Sequence, residues 1–441
     1  MHINDIQLNN FKLYKNKAIS FNTNFSLIIG DNGVGKTSIL EALCVGLGGF
    51  LAGISGVNTR NIHMDEVRIS GHTEGDATYT SEPQFPCSIN CTGQIDGKSF
   101  SWKRSINNKN GRTDRINAKK ITKLASDMQR KITQEVNKEI ILPIISYQGA
   151  GRLYSQKREK WTTPFEKGQF SRLIGYTDCL EAESNIKLFV DWFRRMKAIS
   201  LQRSKEIGEL YSTRKAISTF MQNLSENGET ASIDYDFEKN EVVVDLGSEE
   251  LPLRLMSSGY RSIIGMVADI AFRMSLLNPQ LRENAAQRTP GVVLIDELDL
   301  HLHPKWQWRI IEDLKKTFPC VQFIATTHSP ILIASCEEGE VIDISDESKH
   351  VRSQPYGWQV ADVLSEIMGT SNRTLNIEND INLYEKLYSE KLNKELNDNK
   401  KRKFNELESK LLAVLPERDP ALTLTKLNAI RNEALKANEK K

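Results

Sequence analysis

Four stretches of this 441-residue chain carry side chains suited to chemistry on phosphate. Gly30-Asp31-Asn32-Gly33-Val34-Gly35-Lys36-Thr37 satisfies the pattern G-x4-G-K-[ST]. Its glycines let the backbone wrap closely, so that successive N–H groups and a helix N-terminus face phosphate oxygens. Lys36 would neutralise β- and γ-phosphates, and the Thr37 hydroxyl would coordinate Mg²⁺. Val292-Val293-Leu294-Ile295 is an apolar run that delivers Asp296 and Glu297 at its carboxyl end. Asp296 suits Mg²⁺ binding, and Glu297 suits the general base that activates an attacking water. The apolar run from Val321 ends in Thr327-His328-Ser329, which places His328 as a γ-phosphate sensor. Leu255-Met256-Ser257-Ser258-Gly259 precedes an apolar-periodic helix. Ser257 or Ser258 is its natural N-cap, and the helix start is an anion site.

These groups need strands and helices to bring them together. Residues 3–29 alternate apolar positions (Ile3, Ile6, Leu8; Ile19, Phe21; Phe25, Leu27, Ile29) with Asn, Lys and Ser, which predicts short strands and turns; a helix opens at Ser38. Residues 140–147 read as a buried strand ending in Gln148, the kind of strand end where nucleotide-site groups collect. Residues 178–224 read as helical, with an apolar face at Leu188, Phe189, Trp192, Phe193 and Met196 too brief for a long coiled coil. Residues 232–247 read as a hairpin. From Glu378 onward Tyr384, Leu387, Tyr388, Leu407 and Leu411 recur at helical spacing, and the last ten residues are expected to fray.

A composition of 39% hydrophobic and 26% charged residues suits a globular chain of about two or three units and excludes fibrous or wholly disordered classes. Fifty-nine Lys and Arg against 57 Asp and Glu leave +2, so any basic surface must be local. Residues 98–140 form such a block, with twelve cations against four acids, either a solvated face or a phosphate-backbone contact. The six cysteines are too sparse for a disulfide scaffold and fit a reducing cytoplasm. The longest uncharged stretch, 42–58, falls short of the ~20 residues that a membrane span needs, so no membrane role is expected.

In their order, the phosphate loop, the Ser257-Ser258-Gly259 cap, Asp296-Glu297 and His328 resemble an ABC-type ATPase head across residues 1–335. On that resemblance, 30–37 is the Walker A motif, Leu255–Arg261 the signature, 292–297 Walker B, Leu298-Asp299 the D-loop and His328 the switch histidine. The fold implied is an α/β ABC-type ATPase head, a mixed sheet around a P-loop, with a helical insertion and a helical C-terminal extension. Its expected bounds are 1–175 for an N-terminal lobe with the basic block, 176–230 for the insertion, 231–345 for a C-terminal lobe and 346–441 for the extension. The family implies ATP and Mg²⁺, and a homodimer or higher homo-oligomer whose composite sites pair one chain's phosphate loop with the other's signature serine. Ser257 is favoured there over Ser258. Catalysis would fall to Glu297 and His328. Nucleotide contacts would come from Lys12, Asn32, Gly33, Gly35, Lys36, Thr37, Ser38, Ser257, Ser258, Gly259 and Asp299. Thr37, Asp296 and Gln148, the candidate Q-loop glutamine, would face the metal.

Asn10-Phe11-Lys12, Asp31-Asn32-Gly33, Asp296-Glu297-Leu298-Asp299-Leu300-His301-Leu302-His303-Pro304 and Thr327-His328-Ser329-Pro330 are similar to the RecF/SMC-like and OLD-like soluble ATPases, and unlike transporter heads. Tyr147–Arg152, Gly175–Leu180, Trp192-Phe193 and Tyr356–Val360 resemble the PtuA-like ATPases of Septu and retron-linked anti-phage defence systems. That resemblance implies a homo-oligomeric ATPase controlling a small HNH nuclease of the PtuB type, with DNA or a retron nucleic acid as a candidate partner. Asp343-Ile344-Ser345-Asp346 reads D-x-x-D, not the D-x-D of a Toprim centre, so no nuclease centre is expected in this chain. The alternative function is a RecF-like, ATP-dependent DNA-binding clamp in DNA repair. A non-hydrolytic scaffold is opposed by the intact Lys36, Thr37, Asp296, Glu297 and His328 set.

Overall fold

A computed structural model describes residues 1–74, 78–134, 139–151, 171–182, 186–224, 231–247, 249–345, 354–392, 397–416 and 419–422. Glu135, Lys138, Arg152, Asp346 and the last ten residues, all part of the expectations above, lie outside them. The chain forms two compact units, Met1–Trp358 and Gln359–Lys441.

In the first unit β1 (His2–Phe11), β2 (Tyr14–Ser20) and β3 (Phe25–Ile29) lead into α1 (Lys36–Leu51). β4 (Ile69–Glu74) pairs with β5 (Thr78–Pro83), and β6 (Cys87–Ile95) pairs with β7 (Lys98–Ile106) ahead of α2 (Lys119–Thr133). Next come β8 (Ile144–Gln148), α3 (Ile186–Gln202), α4 (Gly208–Leu224), β9 (Ser232–Asp236), β10 (Glu241–Asp245) and β11 (Glu250–Pro252). α5 (Ser258–Leu277), β12 (Gly291–Ile295), β13 (Val321–Thr326) and β14 (Val341–Asp343) complete the unit's main elements.

A parallel sheet in the order β14-β3-β13-β12-β8 carries the chemistry-bearing strand ends. β3, β12 and β13 are buried along their whole length, as a parallel sheet covered on both faces requires. An antiparallel sheet, β2-β1-β6-β7, lies beside it in sequence order, and in β1 the buried Ile3, Ile6 and Leu8 alternate with exposed Asp5 and Gln7. In the parallel sheet Ile295 is level with Gln148 and Ala325, and Thr326 with Ile28. One carboxyl edge therefore carries Gln148, the Asp296-Glu297 turn, Thr326 and the loop after Ile29.

The expected strand at 140–147 begins only at Ile144. Upstream, Asn278 takes the ladder's place: its Oδ1 accepts from Leu142 N at 2.8 Å and its Nδ2 donates to the Leu142 carbonyl at 2.9 Å. Pro143 has no N–H to offer a neighbouring strand. α3 and α4 pack on α5, with Trp192 and Phe189 rings 5.7 and 5.9 Å from Phe272 and the Thr213 and Ser275 hydroxyls 3.1 Å apart. Gly357 N donates to the Ala334 carbonyl at 2.9 Å, so residues 354–358 lie with the first unit although the 346–441 extension was expected to include them.

In the second unit, the helices Leu375–Leu392 and Asp398–Val414 run antiparallel: Lys400 pairs with Glu390 at one end and Lys410 with Asp380 at the other. Tyr384 stacks on Phe404 at 4.9 Å within a core that includes Ile381, Leu387, Leu407 and Leu411. Among the described residues no helix is long and apolar enough to cross a membrane.

Candidate functional site

β3 ends at Ile29 and α1 begins at Lys36, so Gly30–Gly35 makes the whole connection. Gly33 and Gly35 have φ of +82° and +96°, a region closed to most side chains. A Cβ on Gly35 would also lie 2.6 Å from Leu13 Cδ2 and 2.9 Å from the Tyr14 hydroxyl oxygen. The β1–β2 turn thus presses on the loop, and Tyr14 donates to the Val34 carbonyl at 2.7 Å. Among the described residues no side chain caps α1, which leaves its N-terminal dipole to an anion. Lys36 Nζ arches back to the carbonyls of Gly30 and Asp31, at 2.7 and 2.9 Å. Burial pushes the Lys36 ammonium pKa down, against the pull of Asp31, Asp296, Glu297 and Asp299. Asn32 and Gly33 are exposed on the loop, and Ser38 is buried in the first turn of α1.

Across from the loop, Thr37 Oγ1 donates to Asp296, 3.1 and 3.0 Å from its two carboxylate oxygens. Thr326 Oγ1 donates to Asp296 Oδ1 at 2.7 Å and accepts from Glu297 N at 2.9 Å. Asp296 N in turn donates to the Gln148 carbonyl at 2.8 Å, so adjacent strand ends hold the carboxylate. Glu297 has φ +49°, a left-handed conformation that costs a non-glycine residue about 1 kcal/mol. Asp299 Oδ1 accepts from the Thr327 hydroxyl and, at 3.4 Å, from His328 N. Asp299 therefore grips the exit of β13, and His328 sits half-buried just beyond it. Thr326 and Thr327 were passed over as strand residues; adjacent hydroxyls at the end of an apolar run were the available signal.

Two predicted residues have other partners. Gln148 Nε2 donates to Ser146 Oγ at 2.9 Å and to Asp269 Oδ2 at 2.8 Å, while Arg273 Nε also donates to Asp269. The amide nitrogen therefore faces α5, and it is the main-chain carbonyl of Gln148 that meets Asp296. Lys12 pairs with Glu41, one turn along α1 from Thr37, and its N–H donates to the Glu66 carbonyl at 2.6 Å. Both Lys12 and Glu41 line a cleft of about 590 Å³ with Arg60, His63 and Glu66. Glu41 and Arg60 were not predicted, and an acid four residues beyond Thr37 on one helix face was the signal for the first.

Ser257 is the N-cap of α5 and its exposed hydroxyl accepts from Tyr260 N at 3.5 Å. Ser258 is half-buried in the first turn, and Gly259 is buried. A Cβ on Gly259 would meet the His301 carbonyl at 2.7 Å and the Trp306 ring at 3.1 Å. The ring of Tyr260 meets Trp306 edge-on at 4.7 Å. The cap is thus seated on the loop that follows Asp299.

A family model described as AAA domain matches residues 5–227, and a second AAA-domain model, named for the AbiEii toxin of a type IV toxin–antitoxin system, matches 175–334. The chain is similar to the "Retron Vc95 probable ATPase" of Vibrio cholerae serotype O1 biovar El Tor, 27% identical over 431 residues that cover 84% of this chain and 80% of that one. It is also similar to Septu protein PtuA of Bacillus thuringiensis, 33% identical over 142 residues, 29% of this chain and 35% of the other. Among solved structures, the SMC head domain from Thermotoga maritima aligns with 78% of this chain and 94% of its own at 15% identity, with a TM-score of 0.43. With the phosphate loop inside the first match and Asp296, Glu297 and His328 inside the second, the chain belongs to the AAA-domain family and is an ATPase.

Proposed function

We propose that this ATPase is the nucleotide-gated subunit of an anti-phage defence complex, in which two copies close head-to-tail on ATP and their state controls an associated HNH nuclease. The observation that carries this reading is the convergence of Lys36, Thr37, Asp296 and Glu297 at one sheet edge, in a chain whose relatives bear retron and Septu names.

The residues fit ATP and Mg²⁺. Thr37 and Asp296 are hard oxygen donors already within 3.1 Å of one another, a set that suits this ion. Mg²⁺, when bound, supplies neutralisation of phosphate charge. Lys36 would exchange its two loop carbonyls for β- and γ-phosphate oxygens, and the amides of Gly33, Gly35 and Ser38 would face the same phosphates. Glu297 would take the proton of the attacking water. His328, whose N–H is held by Asp299, would meet the γ-phosphate, and Gln148 would reach the metal by leaving Asp269. Lys12 and Asn32 would border the nucleotide. The start of α5, with Ser257, Ser258 and Gly259, offers an anion site that the γ-phosphate of a second copy would fill.

The test is purification of the tagged chain expressed with its native flanking genes, with mass spectrometry of whatever co-elutes and light scattering with and without Mg²⁺-ATP. A stoichiometric HNH protein and a nucleotide-dependent change of mass are expected. A chain that elutes alone, as an ATP-dependent dimer that grips DNA, would move the reading to a RecF-like clamp.

A further inference from the structure

α2 buries Ile121, Ala125 and Met128, and it is locked to α1. Thr122 Oγ1 donates to the Gly49 carbonyl and Ser55 N to Gln129 Oε1, both at 2.8 Å. A Cβ on Gly53 would lie 2.0 Å from the Thr122 carbonyl, so glycine is what allows this approach. At about 100° per residue, Lys119, Lys123 and Arg130 fall within about 40° of one line opposite the buried face. Lys120 and Lys131 lie together on one side of that line, roughly 75–95° from it, and all five are exposed. Just upstream, Lys109, Arg112 and Arg115 are exposed on a segment pinned by Asp114 N to the Ser105 carbonyl at 2.7 Å.

Residues 107–134 hold two acids against eight cations, and one of the two is paired within this face. Asp114 accepts from Ile116 N at 2.6 Å, and Asp127 pairs with Arg130 at 3.3 Å. A fixed, outward line of cations fits a polyanion. A membrane-surface helix needs apolar residues beside its cations, and those of α2 are spent on the core; Ile116 is the one large exposed hydrophobic of the described stretch. An acidic protein partner would be anchored by a cluster of aromatic or aliphatic side chains at the centre of its contact, where this face offers Ile116 alone. A nucleic-acid backbone asks only for spaced cations on a rigid support.

We propose that the outer face of α2, with the 109–115 segment leading into it, binds the sugar–phosphate backbone of a nucleic acid without regard to sequence. This places the nucleic-acid partner of the proposed function and rests on that part of the reading. The test uses the full chain and a Lys119→Gln/Lys123→Gln/Arg130→Gln variant, whose substitutions are exposed and lie outside the ATP-site residues. Fluorescence anisotropy with a labelled single strand and a duplex, each in two unrelated sequences, is followed over a salt series. The expected result is at least about a tenfold loss of affinity at low salt, equal for both sequences, with the log–log salt slope smaller by about two to three. Basal ATP turnover is expected to stay unchanged.

Tight binding with equal affinity and slope in both proteins would overturn the surface and leave the nucleic-acid partner standing. Absence of wild-type binding to either probe would overturn both. Lysine-dependent sedimentation with phosphatidylserine vesicles, in place of nucleic-acid binding, would overturn the assignment in favour of a membrane. Loss of ATP turnover or of nucleotide-dependent dimers in wild type would fall on the gating reading alone.

Discussion

Thr37 Oγ1 and the Asp296 carboxylate meet at 3.0 and 3.1 Å across 259 residues of chain, and Thr326 holds the same carboxylate from a third strand end at 2.7 Å. Thr37→Ala removes one donor of this group without opening a core cavity, since Thr37 is exposed. Mg²⁺-dependent phosphate release should fall on the order of a hundredfold, while Thr37→Ser, which keeps the hydroxyl, should retain most of it. A Thr37→Ala protein as fast as wild type would remove the hydroxyl from the mechanism.

Glu297 combines a candidate base with a left-handed backbone at φ +49°, so function and stability should part company there. Glu297→Gln should abolish turnover and leave ATP-dependent dimers trapped, read by phosphate release and light scattering. Glu297→Gly should abolish turnover as well, yet raise the melting temperature, because relief of the strain is worth up to about 1 kcal/mol. Unchanged hydrolysis in the glutamine variant would sink the role given to Glu297.

Gly35 and Gly33 differ in what surrounds them. Gly35→Ala meets both a positive φ and the Leu13 and Tyr14 side chains, whereas a Cβ on Gly33 meets no atom of the described residues within 4 Å. Nucleotide affinity, measured with a fluorescent ATP analogue, should drop by about tenfold or more for Gly35→Ala and by clearly less for Gly33→Ala. Leu13→Ala should not restore the first variant, since shortening Leu13 relieves the clash and not the backbone.

Burial pushes the Tyr14 hydroxyl up to about 12 from 10.0. Folded Tyr14 keeps its proton where the unfolded residue loses it, so its stabilisation is fully present below pH 10.0 and is lost as pH rises to about 12. Tyr14→Phe should cost about 1 kcal/mol near neutral pH, through the lost bond to the Val34 carbonyl, and should lose less further stability than wild type over that alkaline window. Denaturant melts of both proteins at several pH values give the comparison, and parallel alkaline losses would contradict it.

Asp269 is the counter-charge of Arg273, a buried guanidinium that also donates to the carbonyls of Gly175 and Thr177 at 2.9 Å. Asp269→Ala leaves that charge uncompensated and should cost about 3–5 kcal/mol in urea unfolding. A loss below about 1 kcal/mol would show that the two carbonyls suffice.

The phosphate loop was legible in the sequence because everything that shapes it is local: an apolar run to Ile29, glycines at positive φ, and an apolar helix from Lys36. The hairpin at 232–247 and the helices within 178–224 were legible for the same reason, since period and turn chemistry need only near neighbours. Ser257 against Ser258 as N-cap was open from the sequence, and the backbone settled the cap on Ser257.

Tertiary structure alone decided which polar groups meet. Gln148 and Asp296 both end strands, yet the Gln148 amide goes to Asp269, 121 residues away, because packing α5 over β8 sets a half-buried carboxylate within hydrogen-bond reach. Lys12 pairs with Glu41 and Asp299 with Thr327 because a buried or half-buried charge takes the nearest opposite charge or hydroxyl that the fold brings to it. The basic block had two readings in sequence, and its charge total was the same in both. What the tertiary structure adds is the direction in which each lysine faces, on which the proposed backbone contact rests, and that follows from which side of α2 buries Ile121, Ala125 and Met128 against the rest of the unit.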